Sequence, residues 1–212
     1  FTAFSETWWK TSLSIEVYAL HLPLLVIILW LFATALFDAA LDERRRSRRF
    51  QLFAFVLGLS FSNHMTTVYL AVSLLVTYFW KEGWGASSWK RIAIAVPAFA
   101  AGLLPYLYLP FRAASDPVLN WGNPVSLERI LWHVSGKQYS VWIFASADAA
   151  KRQFSYFLSS FPSEFAFVGV PLVVIGAVFA LIRHRRTGVM LLLLFASCVG
   201  WAINYDIHDI DS

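Results

Sequence analysis

The sequence predicts an all-α fold, a polytopic integral membrane protein with about five to six hydrophobic helical segments. Of its 212 residues, 58% are hydrophobic and only 14% are charged, whereas soluble domains carry about 25% charged residues. Aromatic residues reach 17%, and 10 residues are Trp, which suits side chains that lie at membrane–water interfaces. Because so few charges cannot cover a water-exposed surface, most of the chain is predicted to lie in or against a bilayer.

Four stretches are apolar over roughly the 20 residues that a helix needs to cross the hydrocarbon core. They cover residues 17–41, 92–109, 165–182 and 187–203. A fifth stretch, residues 50–80, carries no charge, and its middle is polar around Asn63 and His64. This stretch is long for one span and short for two.

Three basic clusters decide how the charge-free stretch is interpreted. They lie at residues 44–49, 81–91 and 183–186, and Lys and Arg are enriched on the cytoplasmic side of membrane proteins. All three clusters share that side only if residues 50–80 enter the membrane and return. We therefore predict a short broken hairpin, either two short helices or a re-entrant loop, with its polar turn near Asn63 and His64. Because irregular backbone at membrane depth needs protein or a wet cavity around it, a cavity is predicted there.

This topology places residues 1–16, 110–164 and 204–212 on the outer side of the membrane. Within the long outer loop 110–164, apolar residues recur at helical spacing over 127–134, after Ser126 as a candidate cap, and over 154–161. Both pieces are predicted to be amphipathic helices on the membrane surface. Residues 1–212 form a single partial transmembrane domain in this interpretation. The chain starts at Phe1 and ends just after an apolar segment, so we expect an interior piece of a longer protein.

Glu16 is the first candidate site residue, because it falls within an apolar helical stripe at the mouth of the first span. It marks either the interfacial start of that span or a catalytic or substrate-binding acid. Tyr18 and His21 follow within about one helical turn, which favours the functional alternative.

Three further polar residues occupy positions that are costly in a membrane. Asn63 and His64 lie in the charge-free stretch, where polar groups either make a helix-packing hydrogen bond or mark a functional site. Arg112 lies at the outer end of a predicted span, against the charge rule. It either extends to lipid head groups or clamps a phosphate through its planar guanidinium.

The outer loop contains aromatic residues beside polar donors. Trp121, His133, Lys137, Gln138 and Tyr139 are of this kind. Such residues suit sugar faces and hydroxyls, and equally suit the interfacial aromatic belt.

The end of the chain carries metal-ligand residue types at close spacing. They are Asp206, His208, Asp209 and Asp211. Because no second cluster completes a site, an ordinary polar loop is the preferred interpretation and no metal is predicted. The sequence has no P-loop, zinc-protease motif, nucleophile elbow or dinucleotide fingerprint, so no soluble cofactor and no nucleic-acid partner are expected.

Five short motifs, in order along the chain, resemble the family around transmembrane protein 260. They are FSETWW at 4–9 leading to EVYAL at 16–20, GLSFSNHMT at 58–66, GLLPYLYLPFR at 102–112, NWG at 120–122, and QY at 138–139. Bacterial members carry the label domain of unknown function 2723. The family is similar to the GT-C glycosyltransferases, and its eukaryotic member is a protein O-mannosyltransferase. Met65 replaces the second His of the double-His form that is more usual in the family.

The resemblance implies a partial GT-C-like fold and a membrane glycosyltransferase. It would transfer a sugar such as mannose from a polyprenyl-phosphate donor to a protein or other acceptor at the outer membrane face. The donor is a substrate, so no cofactor is implied. Membrane lipids and other membrane subunits complete the expected partners, and the expected location is a bacterial inner membrane.

The resemblance also implies roles for the candidate residues. Glu16 and His64 would be catalytic. The substrate-binding set would be Tyr18, Asn63, Arg112, Trp121, His133, Gln138 and Tyr139, with Arg112 next to the lipid phosphate. GT-C enzymes place a catalytic acid on their first outer loop, which would precede Phe1, so this fragment is expected to lack that acid.

Two other classes of protein remain open at this stage. A non-catalytic membrane scaffold subunit of a larger complex would keep the same helices without the chemistry. A transporter would require a path through the membrane and often paired repeats, and the sequence has no internal repeat.

Overall fold

The computed structural model describes residues 6–13 and 17–206, and the regular elements of this part of the chain are helical. The all-α prediction is confirmed. The α-helices are α1 (Glu6–Leu13), α2 (Tyr18–Phe37), α3 (Glu43–Asn63), α4 (Leu70–Glu82), α5 (Ala86–Gly102), α6 (Tyr108–Ala113), α7 (Leu127–Val134), α8 (Ala147–Glu164), α9 (Gly169–Arg183) and α10 (Arg185–Ala202). Three 3₁₀ turns, at Met65–Tyr69, Leu104–Leu107 and Lys137–Trp142, join some of them.

Several helices have the length and composition of membrane spans. Among the described residues, α2 and α10 are each long and apolar enough to cross a bilayer. Two further pairs qualify together but are bent, by 42° at the α5–α6 break and by 100° between α8 and α9. The described residues therefore include two helices that could span a membrane, or up to four if each bent pair is one span. The sidedness deduced from the basic clusters stays a prediction.

The charge-free stretch is interrupted where its middle is polar. Helix α3 ends at Asn63, His64 has an extended backbone conformation, and a 3₁₀ turn precedes α4. The predicted break near Asn63 and His64 is confirmed. Helix α3 begins earlier than the apolar pattern indicated, because the Asp42 side chain accepts a hydrogen bond from Arg45 N (2.7 Å) as an N-cap.

The two helices predicted in the loop 110–164 are present, and α7 has the bounds and the cap that the sequence indicated. Helix α7 covers Leu127–Val134, and the Ser126 side chain caps it by accepting from Arg129 N. Helix α8 includes residues 154–161 but begins seven residues earlier, since the Ser146 side chain caps it at Ala149 N. Both predicted helices are confirmed as helices, whereas their position on a membrane surface stays a prediction.

The described chain divides into two compact units, each built from separate stretches of sequence. The first unit comprises the described residues within 1–18, 69–80 and 139–212, and the second comprises residues 19–68 and 81–138. The single partial transmembrane domain predicted from the sequence stays a prediction, since membrane insertion and compact units are different properties.

In the second unit, α3 and α5 cross at very short distance. A Cβ atom added to Gly58 would collide with the Phe99 carbonyl oxygen, and one added to Gly102 would collide with the Phe55 carbonyl oxygen. Two hydrogen bonds hold the same crossing. Ser62 Oγ donates to Gly102 O (2.9 Å) and Tyr106 OH donates to Phe61 O (2.7 Å). Small residues allow this close approach of membrane helices.

We expect Gly58→Ala to destabilise the protein by about 1–3 kcal/mol, the usual cost of adding a methyl group to a filled contact. Gly176→Ala is the matched control, because a Cβ at Gly176 meets no atom within 4 Å and Ala favours a helix over Gly. Thermal unfolding in detergent compares the two variants with the wild type. Equal melting temperatures for Gly58→Ala and Gly176→Ala would contradict the close crossing.

In the first unit, α9 packs against α10 and an aromatic stack lies beside the end of α10. The Trp201 ring stacks on Tyr69 with centroids 5.5 Å apart and lies 5.6 Å from the Phe144 ring. Tyr205 forms an antiparallel bridge with Ile143. Burial, with a smaller contribution from Tyr139, raises the pKa of Tyr205 above its ordinary value, so its phenol stays protonated at neutral pH.

Candidate functional site

A chain of hydrogen bonds connects α2 to the break after α3. Thr66 Oγ1 lies 2.9 Å from His21 Nε2 and 2.7 Å from His64 Nδ1, and the two imidazole centroids are 5.0 Å apart. His21 is buried inside the apolar helix α2, whereas His64 is partly exposed. We refer to His21, Thr66 and His64 together as the polar cluster.

The polar cluster fixes which nitrogen of His64 carries its proton. The Thr66 backbone N–H donates to His64 Nδ1 (3.2 Å), so this nitrogen offers a lone pair and the neutral ring has its proton on Nε2. The Thr66 hydroxyl then donates to the same Nδ1 and accepts from His21 Nε2. The arrangement therefore makes His64 Nε2–H a hydrogen-bond donor of fixed orientation.

The same assignment leaves the second nitrogen of His21 as an acceptor. His21 Nδ1 is buried and has no hydrogen-bond partner among the described residues. An unsatisfied buried polar atom costs about 1–3 kcal/mol, so it calls for an explanation such as a bound water, a ligand or a catalytic role. The polar cluster is therefore a candidate functional site.

Two buried hydroxyls hold the backbone on which the cluster rests. Thr67 Oγ1 donates to His64 O (2.9 Å) and accepts from Ser60 Oγ (2.8 Å), and both Ser60 and Thr67 are buried. These bonds satisfy polar groups that the helix break would otherwise leave unpaired. They fix the extended conformation of His64 relative to the end of α3.

A second candidate site is a cavity of about 400 Å³ beside α7. The seven residues that line it are Trp121, Gly122, Arg129, Trp132, His133, Lys137 and Gln138. We call this feature the loop cavity. Its volume is within the range of small-molecule sites, about 300–1,000 Å³.

Two turns with a left-handed backbone bring the walls of the loop cavity together. Gly122 and Gly136 have φ values of 70° and 62°, which glycine adopts without strain. The second turn returns the chain after α7 so that Lys137 Nζ lies 3.6 Å from the centre of the Trp132 ring. On the other wall, Arg129 Nη1 donates to Asn123 O (3.4 Å).

The loop cavity brings together three residues that the sequence predicted as substrate-binding, namely Trp121, His133 and Gln138. Tyr139 belongs to the first unit, where its ring lies 5.9 Å from Trp142. The sequence analysis did not single out Arg129 and Trp132. The pattern that could have indicated these two residues is their spacing relative to His133. This spacing places all three on the face of α7 opposite Leu127 and Leu131.

The other predicted residues lie in different places. Tyr18 is the first residue of α2, and Asn63 is the last residue of α3, next to the polar cluster. Arg112 is exposed in α6, where its Nη1 donates to Ser115 Oγ (3.1 Å). Glu16 lies outside the described residues, so the predicted convergence of Glu16, His64 and Arg112 stays a prediction.

The metal-ligand types near the chain end fall partly within the described residues. Asp206 pairs with Arg152 (3.4 Å), whereas His208, Asp209 and Asp211 lie outside the described part. Over residues 6–13 and 17–206, no group of three or more His, Cys, Asp or Glu side chains could hold a metal ion.

The helices and the polar cluster together define an all-helical membrane protein with a polar site at a helix break. Comparison with known proteins shows what the chain is similar to. The family model for the "Protein O-mannosyl-transferase TMEM260 N-terminal domain" matches residues 1–87. The mouse protein named "Protein O-mannosyl-transferase TMEM260" is 26% identical over 220 residues, which cover 97% of this chain and 30% of the mouse protein.

These matches agree with the resemblance to the transmembrane protein 260-like family that the motifs indicated. The chain spans about a third of the length of this curated relative. No solved structure matches the chain. Residues 1–87 include all three members of the polar cluster.

Proposed function

We propose that the chain is part of a protein O-mannosyltransferase, which transfers mannose from a polyprenyl-phosphate donor to a hydroxyl of a protein acceptor at the outer membrane face. The observation that carries this proposal is the polar cluster, in which the Thr66 hydroxyl bridges the imidazoles of His21 and His64 at a helix break. The cluster lies within residues 1–87, the segment that the family model matches. The name of the mouse relative supports the reaction type.

The reaction requires stabilisation of a leaving phosphate. The acceptor oxygen forms a bond to the anomeric carbon of the sugar, the bond from that carbon to the phosphate oxygen breaks, and the acceptor proton passes to a base. Negative charge develops on the polyprenyl phosphate as it leaves. Donors that are already oriented toward such charge contribute strongly to catalysis, and we assign this role to the Nε2–H of His64, whose ring is held by Thr66 on its Nδ1 side.

Other residues complete the proposed site. Arg112, at the end of α6, would contact the lipid phosphate, since a guanidinium offers five N–H donors in a planar fork. Glu16, Tyr18 and Asn63 lie in sequence beside the polar cluster residues and would address the sugar or the acceptor. Membrane lipids hold the donor tail in this proposal, and a bacterial inner membrane is the proposed location.

The proposal is tested by reconstituting the full-length protein in vesicles with polyprenyl-phosphate mannose and an acceptor peptide. We expect transfer of mannose to Ser or Thr of the peptide, and no transfer from a nucleotide sugar. Transfer only from a nucleotide sugar, or none from any donor, would overturn the proposal. Arg112→Lys is expected to lower the rate by about tenfold or more, because a point charge cannot replace a bidentate contact.

Arg186→Lys is the control for Arg112→Lys, because Arg186 is also an exposed Arg and lies at the start of α10. Wild-type rates in both variants would remove Arg112 from the site. The scaffold-subunit alternative makes a different prediction. In that case the isolated full-length protein would not transfer sugar. Its removal from a native complex would lower the amount of assembled complex.

A further inference from the structure

We propose that the loop cavity is a binding site for a phosphorylated hexose, with the sugar ring on the Trp121 indole and the phosphate between Arg129 and Lys137. The ligand class rests on the proposed function, because a hexose phosphate is the head group of the proposed donor, whereas the site is tested by binding without transfer. The sequence analysis singled out Lys137 only as one of the outer-loop polar donors, and it did not single out Arg129.

The charge of the loop cavity favours an anion. Two of its seven lining residues are cations, Arg129 and Lys137, and none of the seven is Asp or Glu. His133 and Gln138 add further hydrogen-bond donors to the same wall. A ligand here must therefore supply acceptors, and a phosphate group matches a guanidinium in geometry as well as charge.

The aromatic residues of the loop cavity favour a sugar ring. Trp121 is 74% exposed. Exposure of so much apolar indole surface to water is unfavourable in free energy unless a ligand or lipid covers it. The Trp132 ring is already covered on one side by Lys137 Nζ at 3.6 Å, a cation–π contact. The Trp121 indole is therefore the open platform for the apolar face of a sugar, while Lys137 stays at the edge of the cavity.

The position of the loop cavity on α7 favours a ligand that meets the protein at the membrane surface. Arg129, Trp132 and His133 lie on one side of the helix, and Leu127 and Leu131 lie exposed on the opposite side. If the apolar side contacts lipid, as predicted for a surface helix, the cavity opens away from the hydrocarbon. A sugar phosphate has the polarity for this position.

Binding is measured on the whole chain in lipid nanodiscs by calorimetric titration. The probes are mannose 1-phosphate, glucose 1-phosphate, methyl α-mannoside and inorganic phosphate. We expect the hexose phosphates to bind at least about tenfold more tightly than either methyl mannoside or phosphate alone, since each part adds contacts worth about 1.4 kcal/mol or more. If inorganic phosphate binds as tightly as the hexose phosphates, the role of Trp121 as a platform for the sugar is overturned. If methyl α-mannoside binds as tightly as the hexose phosphates, the role of Arg129 and Lys137 as an anion site is overturned.

Matched variants locate the binding. Arg129→Gln and Trp121→Ala are each expected to weaken mannose 1-phosphate by about tenfold. The controls are Arg186→Gln, an exposed Arg elsewhere, and Trp84→Ala, whose indole is 71% exposed and thus similar to Trp121. Unchanged affinity in both cavity variants, or loss in Arg112→Gln instead, would overturn the assignment to the loop cavity.

Two further arms distinguish the source of the ligand. Vesicles that carry a polyprenyl-phosphate hexose test a lipid head group, and a soluble peptide bearing a phosphorylated hexose tests a glycan. If the ligand of either arm competes with mannose 1-phosphate, and the competition is lost in the Arg129 variant, the site is supported. The arm that competes then identifies the source of the ligand. If mannose 1-phosphate competes in neither arm, the proposal that the loop cavity binds a natural phosphorylated hexose is overturned. Absence of sugar transfer by the same preparation would count against the proposed function alone.

Discussion

Replacing His64 by Phe is expected to lower sugar transfer by the full-length protein by about 10²- to 10³-fold, the usual effect of removing one donor to developing charge. The imidazole is held by Thr66 N and Thr66 Oγ1 on its Nδ1 side, so its Nε2–H is the group that the substitution removes. Phe keeps a ring of similar size at this partly exposed position. The measurement is the initial rate with saturating polyprenyl-phosphate mannose.

His64→Gln provides a conservative comparison, because an amide offers both an acceptor and an N–H donor. We expect it to retain more activity than His64→Phe. His184→Phe is the matched control, since His184 is exposed between α9 and α10. A wild-type rate in His64→Phe would remove His64 from the reaction, and an equal loss in His184→Phe would indicate a general effect of the substitution.

Thr66→Val tests the polar cluster as a positioning device, because it removes the bridging hydroxyl and keeps the shape of the side chain. The Thr66 backbone N–H still reaches His64 Nδ1 in this variant, so we expect a smaller loss than in His64→Phe. Thr77→Val is its control, since Thr77 Oγ1 is buried without a hydrogen-bond partner among the described residues. A loss in kcat with unchanged KM would fit positioning, whereas equal melting and activity changes in both variants would indicate packing.

Arg91→Ala is expected to destabilise the protein by about 2–4 kcal/mol, somewhat below the cost of breaking a fully buried ion pair. Arg91 donates to Glu82 and to Glu43 (2.8 Å), so it joins the start of α3, the end of α4 and α5. The side chains of Arg91 and Glu82 are only 20% and 16% exposed. Removing the guanidinium would therefore leave the Glu82 carboxylate with little solvent and without this partner.

Arg45→Ala is the control for the ion pair. Arg45 also contacts a carboxylate, Asp42 at 3.4 Å, but the two side chains are 72% and 61% exposed. Exposed pairs contribute at most about 1 kcal/mol. Denaturant titration in mixed micelles measures both variants, and a difference between them below about 1 kcal/mol would contradict a structural role for Arg91.

The sequence predicted those features of the fold that depend on local pattern. Helix α7 follows from apolar spacing and the Ser126 cap, and both were found as expected. The break at His64 follows from polar residues in a stretch otherwise apolar, because an uninterrupted helix there would bury them in hydrocarbon. Such signals are contained within a few consecutive residues.

Contacts between distant residues were not predictable in the same way. The bond from His21 to Thr66 joins residues 45 positions apart, and no local pattern pairs them. The signal for His21 was its place within an apolar span, where an imidazole requires a partner. The contact of Lys137 with the Trp132 ring was equally unpredictable, because it depends on the left-handed backbone of Gly136.

The division into two compact units has a consequence for the order of synthesis. Neither unit is continuous, and the chain passes from one to the other after Tyr18, Val68, Trp80 and Gln138. All residues of the second unit have therefore been synthesised once Gln138 is added, while the first unit still lacks the residues from 139 onward. A nascent chain stopped at Gln138 carries every residue of one unit together with two stretches, 1–18 and 69–80, whose own unit is still incomplete.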